Sequence, residues 1–468
     1  MSVATASRLA PTSVGHAGLS LTAAFALASI VTQAYWLATG DAFGLGLVSG
    51  LNPTGIGNLP TFAITAALAC CAGGTAILAA ALRVQRAPGW LAVALLATGC
   101  ALLSLEQLAV PKLADELDRL DVAFRLPPGG ARSAVLAAVA IALASVVMWA
   151  WRHAGPARAR LASGAIAFAA GCLLLTDTGA AALQAWLAPP QLAAAIAGIY
   201  ARTLQLGGVL LATDAIATWL STVSPEVRIV TDDAAPHALA VTPLPLGMQL
   251  TIGPRRLARA IGAVIVLLVV ASLLSGWTFG HWQPPYRLHR LFDLDRETNV
   301  PTWWSAMLLL ASGVVASCQA STEHRAGDRR WLDWLTLGAL FIALATDEAA
   351  GLHELLVKPL RALLGAGGWL HYPLIVPGTV IGIALAVRFR GFLRTLGPTR
   401  WRLTRAAAVF ALGAFGFETV GGWYAPETIG PNATYIALST IEETLEMLGS
   451  TLALLALLRH VRGWRMTA

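Results

Sequence analysis

Twelve long apolar runs decide what this chain can fold into. They centre on residues 18–38, 61–82, 90–108, 133–151, 161–187, 193–220, 258–277, 302–321, 332–353, 369–388, 404–424 and 434–459. About 20 mostly apolar residues cross the hydrocarbon core of a bilayer as a helix. Lipid offers no hydrogen bonds, so runs rich in Ala and Leu must satisfy their backbone internally, as helices do. With 57% hydrophobic and only 12% charged residues, no stretch is polar enough to surface a soluble domain. The expected fold is an all-α polytopic membrane protein.

The charges between the runs predict orientation. Arg83 and Arg86, then Arg152, Arg158 and Arg160, then Arg228, Arg255 and Arg256, then Arg325, Arg329 and Arg330, then the stretch Arg388 to Arg405, and finally Arg459, Arg462 and Arg465 all fall on even-numbered connections or the C-terminus. The positive-inside rule then puts both termini in the cytoplasm, as for a bacterial-type inner membrane protein. The net charge of +7 is spread over these short clusters, a pattern that points to no nucleic acid. The first run is expected to be a retained span, since no small-residue cleavage site follows it. All five cysteines, Cys70, Cys71, Cys100, Cys172 and Cys318, lie in apolar runs without metal-ligand spacing and read as core or lipid-facing residues.

A shift of 241 residues lays the chain on itself. Asn58-Leu59-Pro60-Thr61-Phe62 falls on Asn299-Val300-Pro301-Thr302-Trp303, and Arg202-Thr203-Leu204-Gln205 on Glu443-Thr444-Leu445-Glu446. Trp36, Trp90, Glu106, Asp177 and Gly208 meet Trp277, Trp331, Asp347, Glu418 and Gly449. The reading is a duplication: a first six-helix repeat over 1–221, a cytoplasmic linker over 222–257 and a second six-helix repeat over 258–468. Six spans is an even number, so the repeats are expected to be parallel, related by an axis near the membrane normal. In the linker, Val227-Arg228-Ile229-Val230 alternates like a short strand. The mixed-charge segment 112–125 has the spacing of an interfacial helix.

The copies differ in their polar residues, and the chemistry gathers in the second. Its ninth run ends in Asp347, Glu348, His353 and Glu354, the eleventh brings Glu418, and the twelfth brings Glu442, Glu443 and Glu446. Asp293, Asp295 and Glu297 precede the eighth and place negative charge over an outer vestibule. An ionisable group inside a span costs a few kcal/mol or more, and a functional role is its default reading. So many carboxylates must share protons, face water or neutralise a cation. The i,i+3 and i,i+4 spacings of Glu442, Glu443 and Glu446 let one helix present two or three acids to a neighbour.

The spacing around His353 matches neither a zinc hydrolase nor a di-iron bundle. One divalent ion of the Ca, Mg, Mn or Zn kind remains open, beside a proton or monovalent-cation site and a structural network. The sequence carries no haem, nucleotide or flavin signal. In the first copy Arg202, Gln205, Gln107 and Lys112 replace Glu443, Glu446, Glu348 and His353. There Asp177 and Arg202 are expected to form a structural ion pair. The recurring Asn-x-Pro motif reads as a turn and helix start.

These residues favour a cation- or proton-coupled transporter acting on a small ion or a lipid-type substrate in the bilayer. An intramembrane metal-dependent enzyme of the lipid hydrolase type is the alternative, with a spare Glu as general base. A non-catalytic sensor or assembly factor is a third reading, and no protein partner is indicated.

Overall fold

In the computed structural model the described residues are 22–23, 26–32, 58–109, 144–145, 147–175, 190–282, 286–364, 373–424, 433–461 and 463–467. The segment 112–125 and Asp177 lie outside them, as do most of the first and fourth apolar runs. Eight described helices are long and apolar enough to cross a membrane. The chain is a helical membrane protein. Helices Trp331–Ala350 and Ala433–Val461 match the length of these eight but carry the acids that the sequence placed in the ninth and twelfth runs.

The molecule divides into two compact units, one formed by 250–465 with 228–240, the other by 8–227 with 241–249. In the latter, α1 (Leu59–Val84) and α2 (Trp90–Ala109) form a hairpin, α3 (Arg158–Leu174) lies along α4 (Pro190–Val223), and α1 also packs on α4. Asn58 starts α1 as an N-cap, its side chain accepting from the Thr61 amide at 3.1 Å, with Pro60 where a missing N–H is harmless. Ile64, Leu68, Leu78, Val93 and Leu206 fill the core. Glycines let α3 and α4 touch backbone to backbone. A Cβ on Gly208 would sit 2.6 Å from the Phe168 nitrogen, and one on Gly171 would sit 2.5 Å from the Ala201 carbonyl oxygen.

The expected linker is folded. Strands β1 (Glu226–Thr231), β2 (Leu239–Leu244) and β3 (Gly247–Ile252) precede the second set of helices. A strand at the C-terminus, β4 (Gly463–Thr467), completes a sheet of order β2-β3-β1-β4. The sheet qualifies the all-α expectation. Pro243 is tolerated because β2 is an edge strand, where a missing donor breaks no ladder.

In the unit formed mainly by 250–465, α5 (Pro254–Trp282) leads through α6 (Tyr286–Phe292) to α7 (Val300–Arg325), which packs against α8 (Trp331–Ala350). Asn299 caps α7 as Asn58 caps α1, accepting from the Thr302 amide at 3.1 Å. Gly351, at φ 53°, ends α8 in a left-handed turn and redirects the chain into the amphipathic α9 (Leu352–Leu364). Next come α10 (Ile375–Thr395) and α11 (Pro398–Ala411). A π-helical turn, Leu412–Phe417, joins α11 to α12 (Glu418–Tyr424). The long α13 (Ala433–Val461) packs against α5, α7 and α11.

The glycine seats recur on the π turn and α13. A Cβ on Gly449 would lie 2.7 Å from the Phe410 nitrogen, and one on Gly413 would lie 2.8 Å from the Glu442 carbonyl oxygen. Gly449 keeps the sequence shift from Gly208, but Phe410 and Gly413 stand one residue beyond it from Phe168 and Gly171. The single constant shift therefore fails along α11.

α10 is anchored at one end. There Phe389 and Phe392 join the fully buried Trp334 of α8, and Arg388 reaches Asp333 at 2.7 Å. Toward its other end Gly378 faces the Phe415 ring of the π turn. Much of the remaining α10 surface is exposed, including Val380, Ile381, Ile383 and Val387. The space between α10 and the body of the unit is a cavity.

Candidate functional site

The cavity has a volume of about 1460 Å³ and is walled by α8, α10, α11, the π turn and α13. Asp295, Glu297, Asp347, Glu348, His353, Glu418, Glu442, Glu443 and Glu446 all line it. Its middle is apolar, with Leu337, Leu340, Phe341, Leu385 and Phe389, and Arg390, Arg394 and Arg400 also border it. The acids gather where α8 ends and α9 begins.

Local structure explains how each acid reaches this place. On α8, Asp347 lies one turn before the Gly351 stop, so the chain folds back over it. The His353 amide then donates to Asp347 Oδ1 at 2.9 Å, and His353 Nδ1 lies 3.2 Å from Asp347 Oδ2. The other ring nitrogen lies 3.6 Å from Glu297 Oε1. One imidazole thus bridges the loop before α7 and the end of α8. Past the end of the span, burial pulls the His353 pKa down. Its hydrogen bond to Asp347 and the charges of Asp347, Glu297 and Glu348 outweigh this and hold it up at about 10. An imidazolium among carboxylates is the result.

Glu348 lies beside Ser305 of α7 and feels both His353 and Asp347. Glu442, Glu443 and Glu446 follow one another along α13, and Glu446 lies within electrostatic reach of Glu348, Glu442 and Glu418. Glu443 lies within electrostatic reach of Glu446, Glu348, Glu442 and Glu297. The close seat of Gly413 against Glu442 and Glu446 brings the π turn onto α13, and Glu418 follows directly after that turn. π turns are frequent at functional sites because the widened turn re-aims the side chains after it. All these glutamates are half-buried: protein surrounds them, and the cavity reaches them.

The remaining sequence candidates stand apart. Asp293 is turned into its own loop, 3.0 Å from Arg296 and 3.4 Å from His289. Glu354 belongs to α9, with its side chain outside the described residues. Arg202 donates to Gln107 at 2.8 Å and to Gln205 at 3.1 Å, and Gln107 in turn donates to Glu106 at 2.8 Å. The position matching Glu443 thus carries a cation in a neutralised network. Asp177, its expected partner, lies outside the described residues.

Three contributors escaped the sequence reading. Tyr435 donates to Asp295 at 2.9 Å and lines the cavity. Ser450 also lines it, one turn past Glu446 on the same face of α13, and this i,i+4 spacing was the available signal. The apolar wall is contributed by three separate helices and has no local signature. Among the described residues no three His, Cys, Asp or Glu side chains are placed to hold a metal ion.

Residues 260–461 match a family described as "Domain of unknown function (DUF8692)". The match falls in the half of the chain that carries the acids and the cavity. No curated protein and no solved structure matches the chain.

Proposed function

We propose that this chain is a cation- or proton-coupled transporter whose site is the acid-lined cavity within 250–465. The observation that supports this is the convergence of carboxylates from the loop before α7, α8, α12 and α13 on one solvent-accessible space among apolar helices. Carboxylates at such depth are tolerable only with protons, water or a cation among them. A cation entering such a set displaces shared protons, which is the elementary coupling step of an exchanger. The architecture that goes with this reading is twelve spans in two parallel six-helix repeats, termini cytoplasmic, in an inner membrane. The recurring caps and glycine seats support the repeat.

The test is proton release. Full-length protein in weakly buffered detergent solution at about pH 7 is titrated in turn with Na, K, Ca, Mg, Mn, Zn and methylammonium chlorides, and pH is recorded. At least one cation is expected to release protons, and Glu443→Gln/Glu446→Gln is expected to abolish the response. Silence with every cation, or an unchanged response in the double variant, would sink the proposal. Lipid hydrolysis that depends on the same glutamates would replace it with the enzyme reading.

A further inference from the structure

The size and lining of the cavity say more about its occupant than the acids do. Ligand pockets commonly hold about 300–1,000 Å³, and this half-open one holds about 1460 Å³. A bare ion needs none of that space. Beyond the carboxylates it would meet Leu337, Leu340, Phe341, Leu385 and Phe389, which offer no ligand to replace lost water. Arg390, Arg394 and Arg400 also border the cavity, but beside the carboxylates an anion is disfavoured.

An independent observation comes from Ser450. Hydroxyls in helices usually donate to the carbonyl one turn back. On α13 Thr440, Thr444 and Thr451 do so, at 2.7, 2.6 and 2.7 Å. Ser450, only 1% exposed, has no hydrogen-bond partner among the described residues, although it lines the cavity. A buried polar group left unmatched is unfavourable, and a ligand's polar atom would relieve it.

We propose that the cavity binds an amphiphilic amine, with its ammonium among Glu442, Glu443 and Glu446, a polar hydrogen meeting Ser450, and its apolar body along the wall between α8 and α10. This rests on the transporter reading and names its substrate class. Oppositely charged carboxylates fix the head, and the tail gains by leaving water, at about 0.8 kcal/mol per CH₂. A tail-less amine lacks that gain.

The experiment measures binding of three radiolabelled probes to the full-length protein in lipid nanodiscs, with empty nanodiscs subtracted: dodecylamine, methylammonium and dodecanesulfonate. Dodecylamine is expected to bind on the order of tenfold or more tighter than methylammonium and to release protons. Glu443→Gln/Glu446→Gln is expected to remove this binding, and Ser450→Ala to weaken it several-fold. Leu340→Trp, which fills the wall, should weaken dodecylamine and spare methylammonium. Ala407→Leu serves the same purpose at an exposed wall position should Leu340→Trp fail to fold. Equal affinity for the two amines, preference for dodecanesulfonate, or indifference to both wall variants overturns the amphiphile proposal while proton release by small cations keeps the transporter reading. Absence of binding and of proton release with every cation overturns both.

Discussion

At the scale of single residues, His353 ties the loop before α7 to the end of α8, and its positive charge offsets part of the surrounding carboxylate charge. Its pKa is raised from 6.5 to about 10 in the folded protein. A raised folded-state value means that the imidazolium contributes stability fully below about pH 6.5, and that this contribution fades as pH climbs toward 10. Thermal unfolding of the detergent-solubilised protein should therefore shift to lower temperature across that window. His353→Gln should be less stable below it and show a flatter dependence across it. Identical slopes for the two proteins would refute the role of the imidazole. The acids around it were legible because an ionisable group in an apolar run stands out against its energetic penalty. Ser450 and Tyr435 were not, since a lone hydroxyl in a helix carries no such penalty and becomes informative only when its partners are known. Asp293 was legible as an acid, but its pairing with Arg296 and His289, both close in sequence, was not.

At the scale of elements, the packing of α13 rests on absent side chains. Gly449 lets it lie against the backbone of α11, with no room for even a methyl group, whereas nothing lies within 4 Å of the Cβ position at Gly262 on α5. Gly449→Ala is expected to lose about 1–3 kcal/mol of stability through overpacking, while Gly262→Ala should be neutral or slightly stabilising by helix propensity. Thermal or denaturant unfolding of both variants checks the contrast, and equal losses would mean that helix separation adjusts freely. Elements with a period or a length were readable: the long helices, the Asn caps and the strand over Val227–Val230. The rest of the sheet was not. Strand β4 pairs with residues more than 200 positions earlier in the chain, and β2 contains a proline that a central strand would exclude. Nor does a single sequence shift reveal that α11 has slipped by one residue against its counterpart, since apolar helices offer few landmarks.

At the scale of the whole molecule, the same helical seats carry opposite polar contents. In one unit Arg202, Gln107, Gln205 and Glu106 bond to one another, so charge and hydrogen-bonding demand are met internally. In the other, the matching positions hold Glu443, Glu348, Glu446 and Asp347, and the carboxylates that line the cavity outnumber the cation-forming side chains at its acidic end, His353 and Arg296. A set that satisfies itself is suited to holding helices together. A set with excess negative charge is suited to exchanging protons or cations. The two should therefore fail differently. Arg202→Gln removes the charge-assisted bond to Gln107 and leaves Glu106 poorly compensated, a change expected to lower the unfolding temperature, since breaking a buried charged network typically costs about 3–5 kcal/mol. Cation-induced proton release per folded molecule should stay at the wild-type level. Glu443→Gln should do the reverse, abolishing or sharply reducing proton release while stability holds or rises, because one like charge has been taken from a crowded site. Proton release lost in a well-folded Arg202→Gln protein would show that both units contribute to the coupling site, and the division of labour argued from their polar contents would have to be abandoned.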